Sequence, residues 1–259
     1  MPSSIKTFLD ALETCVRPRT FPFGVKLLKN ETDIPKGIFR ASDILGHRVS
    51  LCQAFAYSRY RKFPLAMLKE DMVCPVGAMV LGMVEPPDYF LAGDVHWKRN
   101  TDSKEAAGKM ARSMYRFEPG TYCGAVTVPL ASCTFDIDVA LVYVNAFQLG
   151  NLVLGSLYKE GGRFPAEVLP SAVCDAMVPA IKEGRCNFNI PCPGDRRYGR
   201  ATDEEILFAV PANKLEELAS GLMTCAQHNG LAVVNSQWLE SEPTMPEIYD
   251  KVRKDLDML

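Results

Sequence analysis

The run Val139–Val144, VALVYV, constrains the fold more than any other stretch of the chain. Side chains of a strand point alternately to its two sides, so a strand that is apolar on both must be covered on both. Only its start, at Asp138, shows the alternation of a half-exposed strand. A sheet holding such a strand needs other elements packed upon it, and the chain has the material. Its 259 residues, 47% apolar and 23% charged, suit one large domain or two small ones. That composition excludes disordered, collagenous and coiled-coil classes.

Ile5, Phe8, Leu9 and Leu12 recur at helical spacing and predict an N-terminal helix. Val49 to Tyr60, Pro75 to Met83, Ser103 to Tyr115 (with Asp102 as its cap), Ala146 to Tyr158, Ser171 to Lys182 and Lys214 to Cys225 read as further helices. A charged terminal helix is expected from Met245 to Leu256. Strands are expected at Phe23 to Leu28, Leu65 to Leu68, Cys123 to Pro129, Asp138 to Val144, Cys186 to Ile190 and Ile206 to Val210. No linker or low-complexity segment interrupts them, so residues 1–259 read as a single α+β domain: a mixed sheet with packed helices.

Two stretches echo each other. In YRKFPLAMLKEDMVCPVGAMV, from Tyr60, Phe63-Pro64 precedes Val73-Cys74; in GGRFPAEVLPSAVCDAMVPA, from Gly161, Phe164-Pro165 precedes Val173-Cys174. The echo suggests two pseudo-repeated β-α-β-α halves, about 20–100 and 120–230, with Cys74 and Cys174 in corresponding places.

Twenty-nine basic against 31 acidic residues give a net charge of -2, no electrostatic footprint for nucleic acid or anionic lipid. No apolar run reaches the about 18–20 residues of a membrane-spanning helix. The opening MPSSIKTFLDALETCVRPR reads as an amphipathic helix and not a signal peptide. The expectation is a cytoplasmic protein with no nucleic-acid or membrane partner, a homo-oligomer being left open.

Cysteine is the compositional outlier. Nine cysteines, an odd number at wide spacing, argue against a disulfide framework and leave buried thiols, metal or cluster ligands, or a reactive thiolate. The chain has no CxxC pair, no GxxxxGK[ST] or GxGxxG cradle, no GxSxG elbow and no HExxH. Its three histidines, His47, His96 and His228, exclude a histidine-rich metal site, and His47 and His96 read as turn or loop residues.

Cys52, Cys74 and Cys174 fall near expected helix starts, where the positive end of the dipole favours a thiolate. Cys192 follows a strand end, before Pro193-Gly194 and beside Arg196, Arg197 and Arg200, whose charge would also favour ionisation. Shared placement at such points is what a cluster or zinc site requires of its ligands. Lys26, within an apolar strand, sits at a sheet edge or near a site.

The segments FGVKLL, SLCQAFAYSR, EDMVCPVGAMVLG, TVPL followed by DVALVYVNAFQ, and PCPGDRRYGRATDEEILFAVPANKLEEL together resemble the uncharacterised ArCR family, found largely in anaerobic bacteria and archaea. The resemblance covers roughly residues 15 to 230. It implies a cytoplasmic single domain with recurring cysteines, matched here by Cys52, Cys74, Cys174 and Cys192, and no assigned reaction. The low-oxygen habitat it implies favours an iron–sulfur cluster over zinc on those four residues, with a redox or accessory role and an unidentified redox partner. A second reading is an enzyme or binding protein for a small anionic organic molecule, with Arg196, Arg200 and Lys26 as its cations and Cys192 or Cys52 as thiolate nucleophile. A third is a structural or partner-binding subunit whose cysteines are core, with no cofactor.

Overall fold

A computed structural model describes residues 1–229 and 247–258. Six strands form one sheet: β1 (Phe23–Leu28), β2 (Leu65–Leu68), β3 (Gly124–Pro129), β4 (Val139–Val144), β5 (Asn187–Asn189) and β6 (Ile206–Pro211), in the order β2-β3-β1-β4-β6-β5. The α+β class holds, but every neighbouring pair of strands is antiparallel, where a mixed sheet was expected. β4 is buried along its whole length, as its unbroken apolar run predicts.

Among the described residues ten α-helices accompany the sheet: α1 (Ser3–Cys15), α2 (Ala41–Leu45), α3 (Leu51–Arg61), α4 (Pro75–Val80), α5 (Asp88–Leu91), α6 (Lys104–Ser113), α7 (Ala146–Leu157), α8 (Met177–Glu183), α9 (Leu215–Asn229) and α10 (Glu247–Asp255). Ser103, not Asp102, caps α6, its Oγ accepting from the Ala106 amide at 3.2 Å. Met245, the expected start of the terminal helix, lies outside the described residues.

Strand alternation sorts the core into two layers. Phe23, Val25, Leu65, Met67, Leu141, Tyr143, Leu207 and Ala209 face one side, with α3, α4 and α8. Val128, Ala140, Val142, Val144, Phe208 and Val210 face the other, with α1, α7 and α9. On that second side Gly155 of α7 and Gly221 of α9 let the two helix backbones touch; a Cβ on Gly221 would collide with the Gly155 carbonyl oxygen.

The order of the sheet reveals a repeat. Outward from the central pair β1·β4, one side reads first, third, second strand (β1-β3-β2) and the other reads the same (β4-β6-β5). Each half runs strand, helix, strand, Cys-Pro, strand. α3 is an 11-residue helix with Cys52 in second place. Its counterpart is a four-residue 3-10 turn, Val173–Ala176, continuous with the seven residues of α8, with Cys174 in second place. Both end on a left-handed residue, Lys62 (φ 54) and Gly184 (φ 65), before β2 and β5. Cys74-Pro75 follows β2 and Cys192-Pro193 follows β5. β3 and β6 each span six residues, end in Val-Pro and lead into a 3-10 turn.

The counterpart of Cys74 is therefore Cys192, and that of Cys52 is Cys174. The Phe-Pro echo paired Cys74 with Cys174 because Phe-Pro is a local turn signal. Phe63-Pro64 leads into β2, whereas Phe164-Pro165 lies in irregular chain, the Phe164 ring stacked on Phe188. The sheet divides the chain between β3 and β4, inside the stretch that the echo assigned to the second half.

Candidate functional site

On the α3–α8 side of the sheet lies a cavity of about 660 Å³, and Cys52, Cys74, Cys174 and Cys192 all line it. Each arrives from a different segment. Cys52 stands in the first turn of α3, fixed by a reciprocal cap: the Gln53 amide donates to Ser50 Oγ at 3.1 Å and the Ser50 amide to Gln53 Oε1 at 2.9 Å. Cys74 holds the position before α4, with Pro75 opening that helix. Cys174 sits in the 3-10 turn before α8 and Cys192 in the loop after β5. Three of the four are buried and Cys74 is half-buried.

Their ionisation is mutually coupled. Cys192 is pulled down to about 6, first because the Cys52 thiol donates to it, and further by the amides of Val173, Asp195 and Gly194, against the cost of burial. Cys52, as that donor and a buried group, is pushed well above the ordinary thiol range. Burial, with the fields of Cys192, Cys74 and Asp175, pushes Cys174 up likewise. The expectation that dipoles at helix starts would favour thiolates at Cys52 and Cys174 is therefore corrected: burial and neighbouring sulfur outweigh the dipole. Cys192 is drawn toward the thiolate as expected, but the leading causes are a thiol and amides and not the arginines after it.

Among the described residues no three His, Cys, Asp or Glu side chains stand close enough to hold one metal ion. Thiolates bound at about 2.3 Å to a single zinc would lie within about 4 Å of one another. Cys52 and Cys192 are in contact with each other, but the four cysteines line an open volume and do not converge on one point.

Beneath the cysteines runs a buried polar chain that the sequence reading missed. Arg59 of α3 is fully buried, pairs with Glu205 at 2.6 Å and stacks over the Tyr143 ring at 3.6 Å. Tyr143 donates to Asp195 Oδ2 at 2.9 Å, and the other oxygen of Asp195 has no partner. Burial raises Asp195 to about 7, and Asp175, which accepts from Asn189 Nδ2 at 2.7 Å, to about 7 as well. One signal for this chain was present: Arg59 falls on the same helix face as Cys52 and Phe55, where an apolar residue belongs.

His96, expected in an exposed loop, is also buried and lines the cavity, edge-on to Phe90 at 5.5 Å. The segment around it lacks the periodicity that marks burial. His47 is exposed and bonds the Leu45 carbonyl.

The proposed cations do not gather here. Arg196 pairs with Asp203 at 3.3 Å and donates to the Pro191 carbonyl. Arg200, left-handed at φ 59, lines a neighbouring groove with Tyr57, Tyr60, Arg61 and Tyr198. Lys26 projects from β1 to the opposite side of the sheet from Val25 and Leu27, away from the cavity, and its charge acts on Cys133. Cys15, Cys133 and Cys186 belong to the core layer on that other side.

No helix of the described residues is long and apolar enough to cross a membrane. An uncharacterised protein of Methanocaldococcus jannaschii is similar to this chain, 27% identical over 206 residues that cover 78% of this chain and 86% of the relative. No solved structure matches significantly. The model of the uncharacterised ArCR family matches residues 11–221, which contain all six strands and all four cavity cysteines, and the chain belongs to that family.

Proposed function

We propose that Cys52, Cys74, Cys174 and Cys192 hold an iron–sulfur cluster and that the protein serves a redox or accessory role in the cytoplasm of an anaerobic metabolism. One observation carries this reading. Each half of the molecule contributes two cysteines from matching positions, and all four face one cavity. Packing alone gives core cysteines no reason to gather four at one cavity, and the other buried ones, Cys15, Cys133, Cys186 and Cys225, do not line it.

The donor set suits such a group. Thiolates are the ligands of iron–sulfur clusters, and four of them share out over two or four irons, so the sulfurs surround a volume instead of a point. Amides of Val173, Gly194 and Asp195 that donate to the Cys192 sulfur favour a negative site. A bound cluster would supply one-electron transfer. The chain itself excludes water with Leu51, Val76 and Val95, and offers the half-buried Cys74 as the outermost ligand.

The test is purification without oxygen, followed by iron and acid-labile sulfide analysis and an absorption spectrum. Matching iron and sulfide with a broad band near about 400 nm is the expected result. Colourless protein free of iron after anaerobic reconstitution would end the reading.

A second reading rests on the ionised Cys192, a thiolate poised for nucleophilic attack with Cys52 as its proton donor. In metal-free protein a single fast-labelling cysteine would favour it, if that cysteine stayed equally reactive after reconstitution with iron and sulfide.

A further inference from the structure

We infer that the wall of the cavity facing the cysteines is a binding site for a small hydroxy-carboxylic acid, its carboxylate on Arg99 and its hydroxyl on His96. This deepens the reading above, because it names what the same cavity would accept.

The argument begins where the repeat fails. Cys192-Pro193 is followed by one short helical turn, Asp195–Gly199, before β6, as Cys74-Pro75 is followed by α4; only the first half then inserts α5, α6 and the turns between them before its last strand. That insertion brings His96, Arg99 and Asn100 to the cavity. Symmetry accounts for the cysteines; the polar wall belongs to one half alone.

His96 is only 5% exposed. Its Nδ1 lies 3.3 Å from the Asn100 Oδ1, an oxygen that can only accept, so Nδ1 carries the proton. Nε2 is left as a lone pair, buried and without a partner. A buried acceptor with nothing to accept costs free energy that a ligand donor would recover. Ser171 Oγ, on the same cavity, is likewise buried and unpartnered. Among the described residues that line the cavity, Arg99 is the one arginine, and no aspartate or glutamate stands with it. The wall thus presents a fork for a carboxylate, an acceptor for a hydroxyl and a hydroxyl able to serve either.

Isothermal titration of anaerobically purified protein with malate, and with succinate as the same acid lacking the hydroxyl, tests this. Malate is expected to bind, and succinate at least about tenfold more weakly, since it leaves Nε2 unpaired. Arg99→Gln, at an exposed position that folding does not need, should weaken malate by at least about tenfold. His96→Phe keeps a ring against Phe90 and should erase the preference for malate over succinate. No heat from either acid, or malate binding untouched by Arg99→Gln, overturns the site; equal affinity for both acids overturns the hydroxyl assignment. Iron is measured on each sample, which separates the two ideas. Malate binding that needs Arg99 in iron-free protein keeps this inference while the cluster fails, and iron-replete protein that ignores malate fails this inference alone.

Discussion

The two halves of the molecule share a chain path and differ in what they put around it. Each supplies a strand to the centre of the sheet, a helical run with a cysteine in second place, and a Cys-Pro after its second strand. The first half then adds the insertion that carries His96 and Arg99, while the second adds the turn that carries Asp195. What is common to the halves is suited to hold one group between them. What differs is suited to give that group two unlike sides: a polar wall open to a ligand, and a buried chain of Asp195, Tyr143 and Arg59.

The largest effect should come from removing matched cysteines. Cys52→Ser with Cys174→Ser removes one ligand from each half, as does Cys74→Ser with Cys192→Ser. Both double variants should lose essentially all bound iron, measured on anaerobically reconstituted protein. If one pair keeps full iron, the halves do not share a site.

Next comes the tie between the halves. Arg59 belongs to the first half, and its buried partner Glu205 lies just before β6 of the second. At the matching position of the second half stands Ile181, packed on the core, with no ion pair. Arg59→Met would leave Glu205 buried and uncompensated, a loss of about 3–5 kcal/mol by denaturant unfolding. Glu205→Leu added to it should restore most of that loss. A single variant within about 1 kcal/mol of the parent would mean that the pair does not join the halves.

A smaller effect separates the equivalent cysteines Cys74 and Cys192. In metal-free protein Cys192 is held near pKa 6, so it is thiolate above that pH and thiol below it. Labelling by a maleimide at Cys192 should therefore be steady from pH 8 to about 6.5 and fall about tenfold for each unit below 6. Cys192→Ser should remove that phase. An inflection near 9 instead would show that the Cys52 thiol and the three amides do not act on this sulfur.

Most of the fold was legible. The strands stood out because their apolar runs are short and bounded by turn residues, and VALVYV announced its double cover. The helix expected from Val49 begins two residues later, at Leu51, and Pro75 marked the start of the next, which is why the cysteines beside them could be singled out. Convergence was not legible, since spacing along a chain says nothing of distance between sheet elements. The repeat was half-visible: a Phe-Pro pair drew the eye, whereas the real correspondence joins Leu51-Cys52 to Val173-Cys174 and Cys74-Pro75 to Cys192-Pro193. Those matches are two residues long, and only the sheet order makes them significant. His96 and Arg59 escaped because polar side chains are expected outside, and each is inside for a reason supplied by the rest of the fold.

The smallest predicted effect tests how each half fixes the start of its cysteine-bearing helix. In the first half the cap is local: Ser50 Oγ accepts the Gln53 amide, and the Gln53 side chain returns the bond. In the second half the matching residue is Ala172, which has no side chain to cap with. Its carbonyl instead accepts from Asn189 Nδ2 at 3.2 Å, and the same amide donates to Asp175 at 2.7 Å. Ser50→Ala should cost about 1 kcal/mol, the usual value of such a cap, and lower Tm by about 2–4 °C. Asn189→Ala strips several buried partners at once and should cost about 2–3 kcal/mol. Reversal of that order would mean that the second start is held by packing around Val173 and Met177, and that Asn189 serves the strand instead of the cysteine.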